Sequence, residues 1–252
     1  MKETICNLLL FIQFFTRIPV NLSLPCEKEN FRRGSVFLPV VGLIIGTIQW
    51  GVYKLLIEVL PLNPTIVIVL LTGVLLTGGL HIDGLGDMCD GFFAFKGSDR
   101  IIEIMKDSRI GTYSCIATIF DFLFKYTLIA AIAPKFSMAI IVAPMISRFT
   151  TVFLSSMGNT AKNTGTGNFF IGNIGKVQLL ITSVITIGIL ILIMNPMNPI
   201  YVIILLSSGL ILSFILNEFC KSKIGGITGD ILGANNELVE ILILILIAII
   251  MR

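Results

Sequence analysis

Apolar residues fall along this chain in runs near twenty residues long, broken by polar connections, rather than in the period-2 alternation of strands. Seven such stretches stand out, at roughly 36–60, 64–80, 111–133, 136–157, 177–195, 199–217 and 238–251. A helix needs about 20 mainly apolar residues to cross the hydrocarbon core. The pattern therefore predicts an all-α, polytopic integral membrane helical bundle of about 6–7 transmembrane helices. Residues 1–252 read as a single membrane-embedded domain, with no soluble domain between the spans.

An earlier apolar run, from Ile5 to Phe15, is too short to span and is expected to form an interfacial or re-entrant helix ended by Pro19. It lacks the small-residue cleavage site of a signal peptide. The last stretch is also short unless its helix begins near Leu232, which would draw Glu237 and Glu240 into the membrane interface.

The connections alternate in character. Those near 61–63 and 196–198 are minimal and uncharged, and the one at 134–135 carries only Lys135. The others are long and basic: Lys28, Arg32 and Arg33; Lys96, Arg100, Lys106 and Arg109; Lys162 and Lys176; Lys221 and Lys223. Positive charge collects on the cytoplasmic side. All the long connections and the N-terminal helix are therefore expected to face the cytoplasm across the cytoplasmic (inner) membrane, with Arg252 outside.

Composition agrees. Hydrophobic residues make up 55% and charged residues 13% of the chain, the latter about half the share in soluble domains. A net charge of +3 without a basic stripe excludes a nucleic-acid partner. Five scattered cysteines without a C-x-x-C pair read as reduced structural thiols.

Against this background the carboxylates are informative. Asp83, Asp87 and Asp90 stand at i, i+4 and i+7, one face of a helix. Three carboxylates so placed repel unless a cation neutralises them, and magnesium prefers such hard oxygen ligands together with substrate phosphates. Gly78, Gly79, Gly84, Gly86 and Gly91 surround them and permit close approach of a ligand. A solvated acidic loop is the plainer alternative.

Ser98 is the expected N-cap of a short surface helix with Ile101, Ile102 and Met105 on one side. Behind it, Lys106 and Arg109 flank Asp107 and are placed either to clamp phosphate oxygens or to anchor the next span at the interface. A second acidic set, Asp230, Glu237 and Glu240, follows the glycine-rich segment at 225–233, again on one helical face.

The sole histidine, His81, is positioned to orient a carboxylate or carry a proton, or else is structural. Within the apolar stretches, Asp121 and Lys125 are expected to neutralise each other, and Arg148 to face the bundle interior or snorkel. Lys54 and Glu58 read as interfacial, and 164–172 as a flexible cytoplasmic loop able to close over a substrate.

On these residues the chain resembles, end to end, the cobalamin synthase (adenosylcobinamide-GDP ribazoletransferase) family. The resemblance is carried by FIQFFTRIPV at 11–20, by Gly34, Pro39, Gly42 and Gly46, and by GGLHIDGLGDMCDGFF at 78–93. IEIMKDSRIGT at 102–112, Lys125, Arg148, Gly167–Asn168 and GGITGDILGA at 225–234 complete it. Asp121, Asn235 and Asn236 depart from the family pattern and are left out of the site.

The resemblance implies a Mg2+-dependent transferase. It would join adenosylcobinamide-GDP to α-ribazole or its 5′-phosphate and release GMP, working in the lipid bilayer, with other cobalamin-pathway enzymes as candidate partners in a complex. It implies Asp83, Asp87 and Asp90 as metal ligands, and Asp107, Asp230 and His81 as catalytic residues, with Asp107 or Asp230 as base or second metal ligand. Lys106, Arg109, Asn168, Thr228, Glu237 and Glu240 are implied to bind substrate.

Two other readings compete. Asp87-x-x-Asp90-Gly91-x-x-Ala94 resembles the start of the CDP-alcohol phosphotransferase motif, but Phe95 stands where that motif has arginine. A transporter with helices broken at glycine-rich segments is the alternative outside enzymes.

Overall fold

The computed structural model describes residues 2–94, 97–161, 166–195 and 198–252. Lys96, Phe95, Lys162 and positions 164–165 of the expected closing loop lie outside the described residues. Among those described there is no β-strand. The helices are α1 (Lys2–Phe15), α2 (Lys28–Gly34), α3 (Leu38–Leu56), α4 (Leu62–Thr77), α5 (Leu80–Phe93), α6 (Ser98–Ile104), α7 (Thr112–Phe136), α8 (Ala139–Met157), α9 (Lys176–Met194), α10 (Ile200–Ile224) and α11 (Gly229–Ile250).

Six helical segments are long and apolar enough to cross a membrane, and α4 with α5 makes a seventh if the bent pair counts as one span. α8 is the central helix, buried over most of its length. α3 lies close along it because Gly42 and Gly46 face its backbone at Pro144–Met145 and Ile140–Ile141, where any Cβ would collide. Small residues four apart are how helix backbones approach in a bilayer, where apolar side chains gain nothing by leaving lipid. Outward faces of α7, α9 and α10 carry exposed Phe120, Phe124, Leu180, Val184, Ile203 and Phe214, the belt a lipid-facing bundle presents.

Two hydrophobic clusters stack along the bundle. One gathers Phe11, Phe31, Leu85, Met105, Phe170, Cys220 and Ile231. The other gathers Tyr53, Ile66, Ile132, Met145, Leu205 and Ile247. The first holds α1, α2, α6 and the ends of α8 and α10, so the long connections meet at one end of the bundle and the short ones at the other. The cysteines are all unpaired, as expected.

Two boundaries differ from the sequence reading. The last helix starts at Gly229 instead of 238, with Thr228 as its N-cap accepting from Ile231 N. Its polar first turns escape a hydropathy pattern because they face protein, and Glu237 is buried inside the bundle. The acidic segment, expected between spans, forms a helix of its own: α5 leaves α4 at 88°, the geometry of a broken span or a re-entrant loop. Gly78 and Gly79 make the break, with φ of 64° and 74°, a left-handed conformation open to glycine at little cost. The chain after α1 is fastened to this corner by Arg17 N donating to Leu76 O at 2.6 Å.

Candidate active site

α5 and α11 cross where neither carries a side chain. A Cβ on Gly84 would sit 2.6 Å from Asp230 O, and one on Gly233 would sit 3.1 Å from His81 O. This contact brings the two acidic segments together. Asp83 and Asp230 line one cavity of about 130 Å³, with His81, Thr151, Gly167 and Gly229. Phe14, Phe15, Phe31, Phe170, Leu80 and Leu232 form its other walls. Asp230 is fixed by Thr228 Oγ1, which donates to its Oδ2 at 3.0 Å. The turn before it is clipped to the end of α8: Ile227 N donates to Asn159 O at 2.8 Å, and Ala161 N to Ile227 O at 3.0 Å.

His81 is buried on the inner wall. Its ring lies parallel to Phe15, 6.4 Å between centroids and 5° between planes. Its Nδ1 is 3.5 Å from Arg148 Nη2, a donor that never deprotonates, which assigns the ring N–H to Nε2.

Behind His81 lies a buried ion-pair network. Lys125 Nζ donates to Glu237 and also meets Asp121 at 3.2 Å and Glu240 at 3.3 Å. Arg148 pairs with Glu240, and Asn236 Nδ2 donates to the same carboxylate at 3.3 Å. Asn235 links Ser213 at 2.7 Å and Thr150 at 3.2 Å. Neither oxygen of Asp121 accepts a well-directed hydrogen bond despite the Lys125 pair. Burying charge in hydrocarbon is expensive unless it is paired, so the network ties α7, α8 and α11 into one unit. Glu237 and Glu240 thus sit in paired positions behind the cavity and not on its wall.

The remaining predicted residues are spread out. Asp90 reaches across to the start of α7, where its carboxylate accepts from Gly111 N at 2.7 Å and Ser114 N at 2.9 Å. It acts there as a helix cap, satisfying donors that a helix start leaves free. Asp87 is half-buried on α5, and Asn168 lies beside the cavity-lining Gly167. α6 starts at Ser98 with Gly97 as its cap residue, one position earlier than expected. Lys106, Asp107 and Arg109 lie on the exposed connection after it. Arg109 Nη2 pairs with Asp107 at 2.6 Å. The Arg109 guanidinium, with the Arg109 backbone N–H, holds the Asp107 carboxyl down at about 2.

Comparison with known proteins decides the family. The chain matches the family description cobalamin-5-phosphate synthase over residues 7–248. It belongs to that family. A Clostridium kluyveri relative named adenosylcobinamide-GDP ribazoletransferase is 57% identical over 250 residues, 99% of both chains. Its Clostridium tetani namesake is 50% identical over 238 residues, covering 94% of this chain and 93% of the relative. One from Clostridium botulinum strain Okra is 47% identical over 251 residues, 99% and 100% of the two chains. No solved structure matches. As a cobalamin-5-phosphate synthase family member the protein is an enzyme, which sets the transporter reading aside.

For this family member, sequence reasoning missed two things. The aromatic wall comes from α1, α2 and the segment after Asn168, segments that touch only in three dimensions. The long-range network partners Glu237 and Glu240 were also hidden, whereas the expected Asp121–Lys125 pair and the inward-facing Arg148 are both present. Among the described residues no three His, Cys, Asp or Glu side chains gather as a ready-made metal cage.

Proposed function

We propose that this enzyme joins adenosylcobinamide-GDP to α-ribazole or its 5′-phosphate with the help of magnesium, releasing GMP and giving adenosylcobalamin or its 5′-phosphate. The observation that carries the reading is the meeting of Asp83 and Asp230 in one cavity. Its family and its relatives' names supply the substrates.

The donor set fits magnesium of a particular kind. This ion commonly keeps several waters, with one or two carboxylates and substrate phosphates completing its shell. So sparse a set of carboxylates in the cavity lining suits a metal arriving with a pyrophosphate better than an all-protein cage. Asp83 would hold it, with Asp87 one turn away on α5. When bound, it would neutralise charge on the phosphates.

In the reaction a ribose hydroxyl oxygen bonds to the phosphorus on the cobinamide side. The bond from that phosphorus to the bridging oxygen breaks, and GMP leaves with the bridging oxygen. Such transfers depend on charge neutralisation and alignment more than on covalent catalysis. Of the two candidate bases, a carboxyl held near 2 is a poor proton acceptor at neutral pH. Asp230, facing the cavity and held by Thr228, takes the hydroxyl proton. His81 keeps its Nδ1 toward Arg148 and orients the cavity wall.

The long, basic connections gather at one end of the bundle, so the cavity opens on the cytoplasmic side of the inner membrane. The test is a membrane-reconstituted assay with both substrates, following GMP and cobalamin with and without magnesium. Magnesium-dependent formation of both in equal amounts supports the proposal. No product from correctly inserted protein would refute it.

A further inference from the structure

Resting on the transferase reading above, we infer that the phenylalanine-lined half of the Asp83–Asp230 cavity is the slot for the flat heteroaromatic base of the ribazole nucleophile. Size makes the first cut. At about 130 Å³ the cavity is well below the roughly 300–1,000 Å³ of pockets that enclose drug-sized ligands. It is sized for one flat ring system and is too small to enclose a corrinoid.

Chemistry makes the second cut. Phe14, Phe31, Phe170 and Leu232 offer no hydrogen-bonding side chain to a base edge. A guanine placed there would bury several donors and acceptors without partners, a cost of roughly 2 kcal/mol or more apiece. A dimethylbenzimidazole can bury its methylated hydrocarbon edge and has a single acceptor, its free ring nitrogen, to leave toward the polar side.

Orientation makes the third. Phe15 and His81 both line the cavity with ring planes 5° apart, so a flat base lying against either lies parallel to both. Phe170 meets Phe15 edge-on at 78°, closing the side of the slot. With the base among the phenylalanines, the ribose extends toward Asp83 and Asp230, where its hydroxyl is needed.

The test uses the full chain in nanodiscs and two conservative variants, Phe15→Leu and Phe170→Leu, with unfolding midpoints recorded to confirm folding. Equilibrium dialysis with α-ribazole alone is read beside steady-state kinetics in both substrates. The expected result is about a tenfold weaker α-ribazole binding and a matching rise in its KM, from loss of aromatic contact. The KM for adenosylcobinamide-GDP stays put.

A rise confined to the cobinamide substrate, or no change in either KM, overturns the slot. Absence of transfer with α-ribazole binding retained and weakened by Phe15→Leu sinks the activity but upholds the slot. No α-ribazole binding by an active wild-type enzyme overturns the slot alone.

Discussion

Lys125 of α7 makes its closest ion pair with Glu237 of α11, 112 residues away, and not with Asp121 one turn along its own helix. The lysine thereby joins two spans and answers for more than one buried carboxylate. Lys125→Met should destabilise the protein by about 3–5 kcal/mol, because breaking a buried pair strands charge. Lys125→Met with Glu237→Met should recover part of that loss. Thermal unfolding in detergent measures both, and an unaltered midpoint in the single variant would show that the network contributes nothing.

Asp83 and Asp90, two turns apart on α5, are expected to divide between the proposed metal site and the scaffold. Asp83→Asn and Asp230→Asn should each lower turnover by roughly 10²–10³-fold, the scale for losing one electrostatic group at a reacting centre. Asp83→Asn should also raise the magnesium concentration needed. Asp90→Ala should instead weaken the start of α7, costing about 1–2 kcal/mol of stability, with an unshifted magnesium dependence in the protein that remains folded. A magnesium shift in Asp90→Ala as large as that of Asp83→Asn would contradict this division.

For Asp107 the pH dependence is decisive. Its carboxyl lies below the usual range, at about 2, so it is ionised throughout pH 4–9. A depressed pKa favours the charged form, and protonation begins only as pH falls toward that value. The acid limb of kcat/KM should therefore be identical in wild type and Asp107→Asn. A limb that disappears with the substitution would return Asp107 to the role of base.

Glycine substitutions probe the crossing of α5 and α11. Gly84→Ala places a methyl against the Asp230 backbone, which cannot swing aside as a long side chain does. Overpacking of this kind costs about 1–3 kcal/mol and should depress turnover by shifting Asp230. Gly51→Ala in α3 meets open space and should be neutral or stabilise by about 0.4–1 kcal/mol. Unfolding midpoints and initial rates of the pair provide the comparison.

Much of this is legible in the sequence, for identifiable reasons. Runs such as 177–195 are apolar all round, so length and composition alone locate α9. The i, i+4, i+7 spacing of the aspartates puts them on one face of a helix, the conformation that α5 adopts. Yet Asp90 serves the start of α7, which no local spacing reveals. The start of α11 is hidden because Asn235, Asn236 and Glu237 are polar residues turned toward Ser213, Thr150, Glu240 and Lys125 instead of water. Setting Asp121, Asn235 and Asn236 aside as departures from a family pattern overlooks their burial in that network. Phe15 falls in the expected interfacial helix and Phe170 in the expected cytoplasmic loop, since a sequence does not say which phenylalanines enclose space.

The corner at Gly78–Gly79 has a consequence for the reaction's competitors. α4 has 16 residues and rises about 24 Å, less than the roughly 30 Å of a bilayer's hydrocarbon core. α4 on its own is therefore short of a full crossing, and the chain turns away from its direction at the corner. Under the proposed reading, a pyrophosphate beside Asp83 and Asp230 would lie among phenylalanine and leucine walls that leave little room for water. Those walls would then favour transfer over wasteful hydrolysis, a distinction that a site on an open aqueous surface would have to draw by other means.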